Sequence, residues 1–238
     1  MSPQPLGRVK PDAELHFGPL APAGEFDPEL CRLATYVISL WSYSEAVLLR
    51  MASSFLKSEQ RIVVDMLKAV KSTDGRRAAI RAAGEHRLAN SPDDLRFFMA
   101  ALDALAYAEG LRHRFAHHVW ASSRDVPGGI ILVDPRLVER AVAAEAEGAT
   151  EKNWRSTGAP HFDRMEVMVY RIQDLKEDVS EALDAAMIAD GLDEWYGFIA
   201  LDARDLATPI RDLLLEQYPR LRRAFDKRSQ STPGTVAV

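Results

Sequence analysis

The sequence predicts a mainly α-helical fold with a small two-stranded β element and additional C-terminal helices. Apolar residues recur at helical spacing over long stretches, with Leu33, Val37, Leu40, Trp41, Val47, Leu48, Met51 and Phe55 as the clearest run. Two segments carry helix-start chemistry, "FDPEL" and "NSPDDL". Only "IILVD" (130–134) and "MEVMVYR" (165–171) read as strands.

Taken in order, residues 1–25 are rich in proline and glycine and are expected to be irregular. Asp27 can then cap a first helix, with Pro28 in its first turn and Glu29 complementing the dipole. That helix should reach Lys57. A second pattern covers Glu59 to Lys71 and a shorter one Asp74 to Arg87. Ser91 and Pro92 open the next helix, whose apolar stripe of Leu95, Phe98, Met99, Leu102 and Leu105 leads towards "AYAEGLRHRFAHHVW" (106–120). "SSRDVPGG" is loop chemistry. The two strand-like segments should pair, with "PRLVERAVAAEAE" helical between them. After Tyr170 a helix is expected as far as Gly191. Helical material should continue from Leu192 to Lys227, interrupted near Pro209 and Pro219. The expected organisation is therefore an irregular segment (1–25), a helical core (26–124), a strand pair with C-terminal helices packed on that core (125–228) and a loose tail (229–238).

Composition narrows the function. The chain has 238 residues, a net charge of −5 and one cysteine, Cys31. A strongly basic nucleic-acid coat is absent, although a local basic site is not excluded by a net value. A disulfide framework and a cysteine-rich metal site are both impossible within the chain. The N-terminus lacks a signal-peptide apolar run, and the most apolar stretch is broken by Glu45 and Arg50, so neither a leader nor a membrane span is expected. The single thiol fits a cytoplasmic setting. There is no glycine-rich phosphate loop and no serine nucleophile elbow.

On a helical wheel, the direction of Phe98, Leu102 and Leu105 continues through Glu109, Arg112, His113, Ala116, His117 and Trp120. A core stripe that turns ionisable should be a cleft, an interface or a paired network, because lone buried charge is costly. Glu109 stands three and four residues before Arg112 and His113, within reach for local pairing. Gly110 weakens the helix by roughly 1 kcal/mol against alanine, which suggests a close approach or a bend.

"RHRFAH" (112–117) resembles the signature of HEPN-domain proteins: arginine, a polar residue, three further residues, then histidine. The resemblance covers the motif and the helices before it, roughly 27–121. It implies a HEPN-like helical bundle that dimerises with two motifs facing across a cleft, and a metal-independent endoribonuclease of the toxin–antitoxin or defence kind. Arg112 then matches the family's phosphate-binding arginine, His117 its proton-transferring histidine and His113 its polar second position. Many members have glycine after the histidine, where this chain has His118. Glu109, Arg114 and His118 are accessory. RNA is the implied substrate, a second copy or an antitoxin the implied protein partner, and no cofactor is implied.

Two other readings of the stripe stand beside this one. It can be a non-catalytic module that binds a partner protein or RNA through the same face. Alternatively Glu109, His113 and His117 can hold a metal as three ligand-type residues on one helical face, although the HExxH order is missing. Trp41, Tyr43, Phe115, Trp120, Trp154, Trp195 and Tyr196 read as packing residues, and "RLRRAFDKR" (220–228) as a basic helix face able to touch phosphates.

Overall fold

The computed structural model describes residues 3–17, 26–57, 60–148 and 163–230. Among them, nine helices and five strands follow in the order β1 (Gln4–Pro5), α1 (Leu6–Val9), β2 (His16–Phe17), α2 (Pro28–Leu56), α3 (Gln60–Ala69), α4 (Thr73–Arg87), α5 (Pro92–His117), β3 (Val119–Ser122), β4 (Gly129–Val133), α6 (Pro135–Gly148), β5 (Met168–Arg171), α7 (Ile172–Ala200), α8 (Arg204–Gln217) and α9 (Pro219–Gln230). The chain is mainly α, with a small antiparallel sheet.

The described residues fall into two compact units, each made of two stretches of chain. The first takes residues up to Ile38 and Gly110–Glu181; the second takes Ser39–Glu109 and the chain from Ala182 onward. Helices α2, α5 and α7 contribute to both.

The first unit is built on the sheet, in the order β1-β5-β4-β3-β2, with every neighbouring pair antiparallel. The expected pairing of the 130–134 and 165–171 segments is present as β4 with β5. The sheet nevertheless has five strands rather than two. Residues expected to be irregular supply both edges: Gln4 and Pro5 pair with β5, and His16 and Phe17 with β3. Such two-residue edges carry no alternation to read, and Pro5 fits only at an edge. All five residues of β4 are buried, as expected for a strand flanked on both sides. Leu6, Leu15, Ile131, Val133, Val167 and Val169 form this unit's core.

In the second unit, aromatic rings interlock around the α5 stripe. Phe55 meets Phe98 and Tyr196 edge-on at 5.1 and 4.3 Å, and Phe97 meets Trp195 at 5.0 Å. Trp41, Met51, Leu102 and Leu105 complete the packing. Asp27 caps α2 as expected, its Oδ1 accepting from the Glu29 amide at 2.8 Å.

Three helix limits differ from the expected ones. Helix α5 ends at His117, and Val119 and Trp120 belong to β3 rather than to a longer helix. Helix α7 runs through Gly191 to Ala200. Glycine lets α8 pack closely there, since a Cβ would lie 2.7 Å from a Leu214 methyl and push that side chain aside. Helix α8 also contains Pro209 instead of breaking at it; the lost hydrogen bond falls in an exposed turn. The real break is the short turn at 201–203, where Asp202 takes φ +60°. Pro219 opens α9, as its place at a first helical position suggests. No helix among the described residues is long and apolar enough to cross a membrane. Trp154 and most of the expected tail lie outside the described residues.

Candidate functional site

The last turns of α5 bury Leu111 and Phe115, and this decides which way everything else faces. Arg112 is half-buried, while His113, Ala116 and His117 are exposed. The ionisable residues therefore lie on the outward side of the helix end, not on the continuation of the buried stripe. In these turns that stripe runs through Ala108, Leu111 and Phe115. Nothing approaches Gly110 within 4 Å of a Cβ position, so it marks no close contact.

Arg112 and His117 meet directly. One Arg112 guanidinium nitrogen lies 2.9 Å from His117 Nε2. A guanidinium only donates, so Nε2 accepts and the proton of the neutral ring sits on Nδ1. Partial burial, then the Arg112 and His113 charges, holds His117 below the usual histidine range. The His113 ring lies 4.9 Å from that of His117, at i and i+4 on the helix. The structure thus brings together the three residues expected to be central.

The accessory residues take other places. Glu109 belongs to the second unit, where it forms a close ion pair with Arg77, and burial raises its pKa. No group of three histidine, cysteine, aspartate or glutamate side chains able to hold a metal is present among the described residues.

Arg114 points into the first unit. Its guanidinium donates to the Tyr170 hydroxyl at 2.8 Å, and its charge acts on the Asp178 carboxylate. Tyr170 is fully buried and meets Phe115 edge-on at 5.2 Å. Asp178 is also buried, with Oδ2 lacking a hydrogen-bond donor, and burial pushes its pKa up to about 6. Arg114 is therefore a half-buried tie between α5 and β5.

His118 follows the helix end and precedes β3. Val119 pairs with Val133, so one further step of that register sets His118 beside Asp134. The Asp134 charge acts on His118, although burial still leaves the imidazole below its ordinary range. Asp134 itself is held at about 2, chiefly by Arg136, whose guanidinium donates to Oδ2 at 2.6 Å. Trp120 turns back to donate from Nε1 to the Phe115 carbonyl at 3.0 Å and so satisfies an open end of α5.

The chain matches no protein-family model, no curated protein and no solved structure.

Sequence reasoning missed Tyr170, Asp178, Asp134 and Arg136. The first two are far along the chain from Arg114, and nothing in local spacing links them. The "DPR" at 134–136 did carry a signal: aspartate before a helix-opening proline, with a cation in the first turn.

Chemically, the exposed cluster offers a neutral imidazole held in one tautomer by a guanidinium. The pair combines a proton acceptor with a planar cation suited to a phosphate or carboxylate.

Proposed function

We propose that the protein is a metal-independent endoribonuclease of the HEPN type, acting in the cytoplasm as a dimer in a defence or stress-response role. The observation that carries this reading is the Arg112–His117 hydrogen bond at the exposed end of α5. The RHRFAH resemblance supplies the choice of reaction.

The chemistry needs little else. An RNA phosphate is a stronger acceptor for a guanidinium than an imidazole is, so an arriving phosphodiester draws Arg112 to itself. That frees Nε2 of His117, already deprotonated, to take the proton of the ribose 2′-hydroxyl. The 2′-oxygen attacks phosphorus and the bond to the 5′-oxygen breaks, with a solvent proton going to the leaving oxygen. Arg112 neutralises the charge building on the phosphorane. The products are a 2′,3′-cyclic phosphate and a 5′-hydroxyl. His113, beside His117, orients the phosphate or a water. The test is cleavage of total RNA and tRNA in EDTA, with wild type and His117→Ala compared.

A second reading keeps the site and drops the chemistry: the exposed face of Arg112, His113 and His117 binds a partner protein or RNA without cutting. The exposure of His113 and His117 favours it as much as the first. A stable dimer that cleaves no RNA would select it.

A further inference from the structure

We propose that the second unit carries a binding surface for single-stranded RNA, built on α9 and the outer side of α5, with an arginine-backed tyrosine as its base platform. Helix α9 reads PRLRRAFDKRSQ and holds five basic residues against one aspartate, in a chain whose net charge is −5. These 12 residues thus form a locally basic helix in an acidic chain. Arg222 and Arg223 are exposed.

The structure fixes this helix against α5 with contacts that also shape the surface. Arg220 lies over the Tyr107 ring, 3.7 Å from its centroid, and Tyr107 as a residue is 39% exposed. One turn earlier on α5, Asp103 gathers two cations: Arg228 of α9 at 2.6 Å and Arg81 of α4 at 3.4 Å. Arg96 stacks on Phe225 at 4.4 Å. A groove of about 480 Å³ beside these contacts is lined by Leu95, Met99, Arg96 and Arg228, with the carboxylates Glu85 and Asp93 at the same groove.

Each part suits a flexible polyanion. Exposed arginines neutralise phosphates, and a tyrosine backed by a guanidinium offers a flat face on which any base can stack. An acidic peptide would use the cations but has no use for the ring, so the Tyr107 platform favours nucleic acid. The choice of RNA over DNA rests on the reading of the Arg112–His117 pair; the binding surface itself does not.

The experiment is fluorescence anisotropy with a labelled oligouridylate in EDTA, over a salt series, using full-length protein carrying His117→Ala so that no RNA is consumed. The protein is compared with two further variants, Tyr107→Ala and the combined Arg220→Gln, Arg222→Gln, Arg223→Gln. We expect binding that weakens with salt, a loss of about tenfold for each variant, and a salt slope about 2 units shallower for the arginine variant. Thermal melts of both variants should match the parent. Absence of binding by the parent, or unchanged affinity in folded variants, overturns the surface. Equal displacement by polyglutamate, or tighter binding of oligothymidylate than of oligouridylate, overturns its assignment to RNA. Because no cleavage is read, these results are independent of whether the chain is a ribonuclease.

Discussion

Arg112 donates to Nε2 of His117 across one turn and a half of α5, at 2.9 Å, in the exposed end of that helix. The contact sets the tautomer and the charge of the histidine together. Partial burial and the Arg112 guanidinium both favour the neutral ring. At neutral pH the histidine is ready to accept a proton without first losing one.

A histidine titration by NMR reads this directly. His117 should titrate below the ordinary histidine midpoint of about 6.5 in the wild type. Arg112→Gln removes one of the neighbouring charges and should move the midpoint up towards that value. An unchanged midpoint would mean that burial alone sets it.

Arg114 should behave as a structural residue. Arg114→Gln removes the donor to the Tyr170 hydroxyl and a positive charge that acts on buried Asp178. Unfolding in denaturant should show a loss of about 1–3 kcal/mol, because the buried Tyr170 hydroxyl loses its donor and the Asp178 carboxylate a nearby positive charge. His117→Ala, at an exposed position, should change stability by less than about 0.5 kcal/mol.

Asp178 predicts a pH dependence. Its folded pKa of about 6 lies above the ordinary value of 3.8. Between these values the folded protein binds more protons than the unfolded chain, so the protonated group's stabilisation is complete below about pH 4 and lost as pH rises through 6. Arg114 opposes the rise, whereas Asp174, Glu177 and Glu181 add to it. Asp178→Asn should therefore be more stable than wild type at pH 8, by up to about 2 kcal/mol, with the difference shrinking at pH 4. Denaturant melts at the two pH values check it.

Two glycines in helices should respond oppositely to alanine. At Gly84 a Cβ would sit 2.1 Å from the fully buried Phe98 ring, so Gly84→Ala should destabilise by about 2 kcal/mol. At Gly110 nothing lies within 4 Å, so Gly110→Ala should stabilise by about 0.5–1 kcal/mol through helix propensity alone. Thermal melts of the two variants separate the cases.

The helices were legible because their apolar periodicity and start signals are local. Asp27, Pro28, Pro92 and the stripe through Phe98, Leu102 and Leu105 gave α2 and α5 to within a few residues at their starts. The short edge strands were not, since Gln4–Pro5 and His16–Phe17 owe their form to partners more than a hundred residues away. The end of α5 was misjudged for a related reason. Trp120 fits the helical wheel, yet β3 pairs with β4, and its indole caps the helix instead. The Arg112–His113–His117 cluster could be read from i, i+4 and i+5 spacing. The orientation of Arg114 could not, because Tyr170 and Asp178 become its neighbours only through the sheet and α7.

The measurement that bears most directly on the central claim is cleavage of a defined RNA in EDTA by wild type, His117→Ala and Arg112→Ala, with product ends analysed. The account predicts cutting by the wild type alone, leaving 2′,3′-cyclic phosphate and 5′-hydroxyl ends, and a loss of at least about a hundredfold in either variant. Cleavage that survives in both variants, or a folded and dimeric wild type that cuts no RNA, would contradict it.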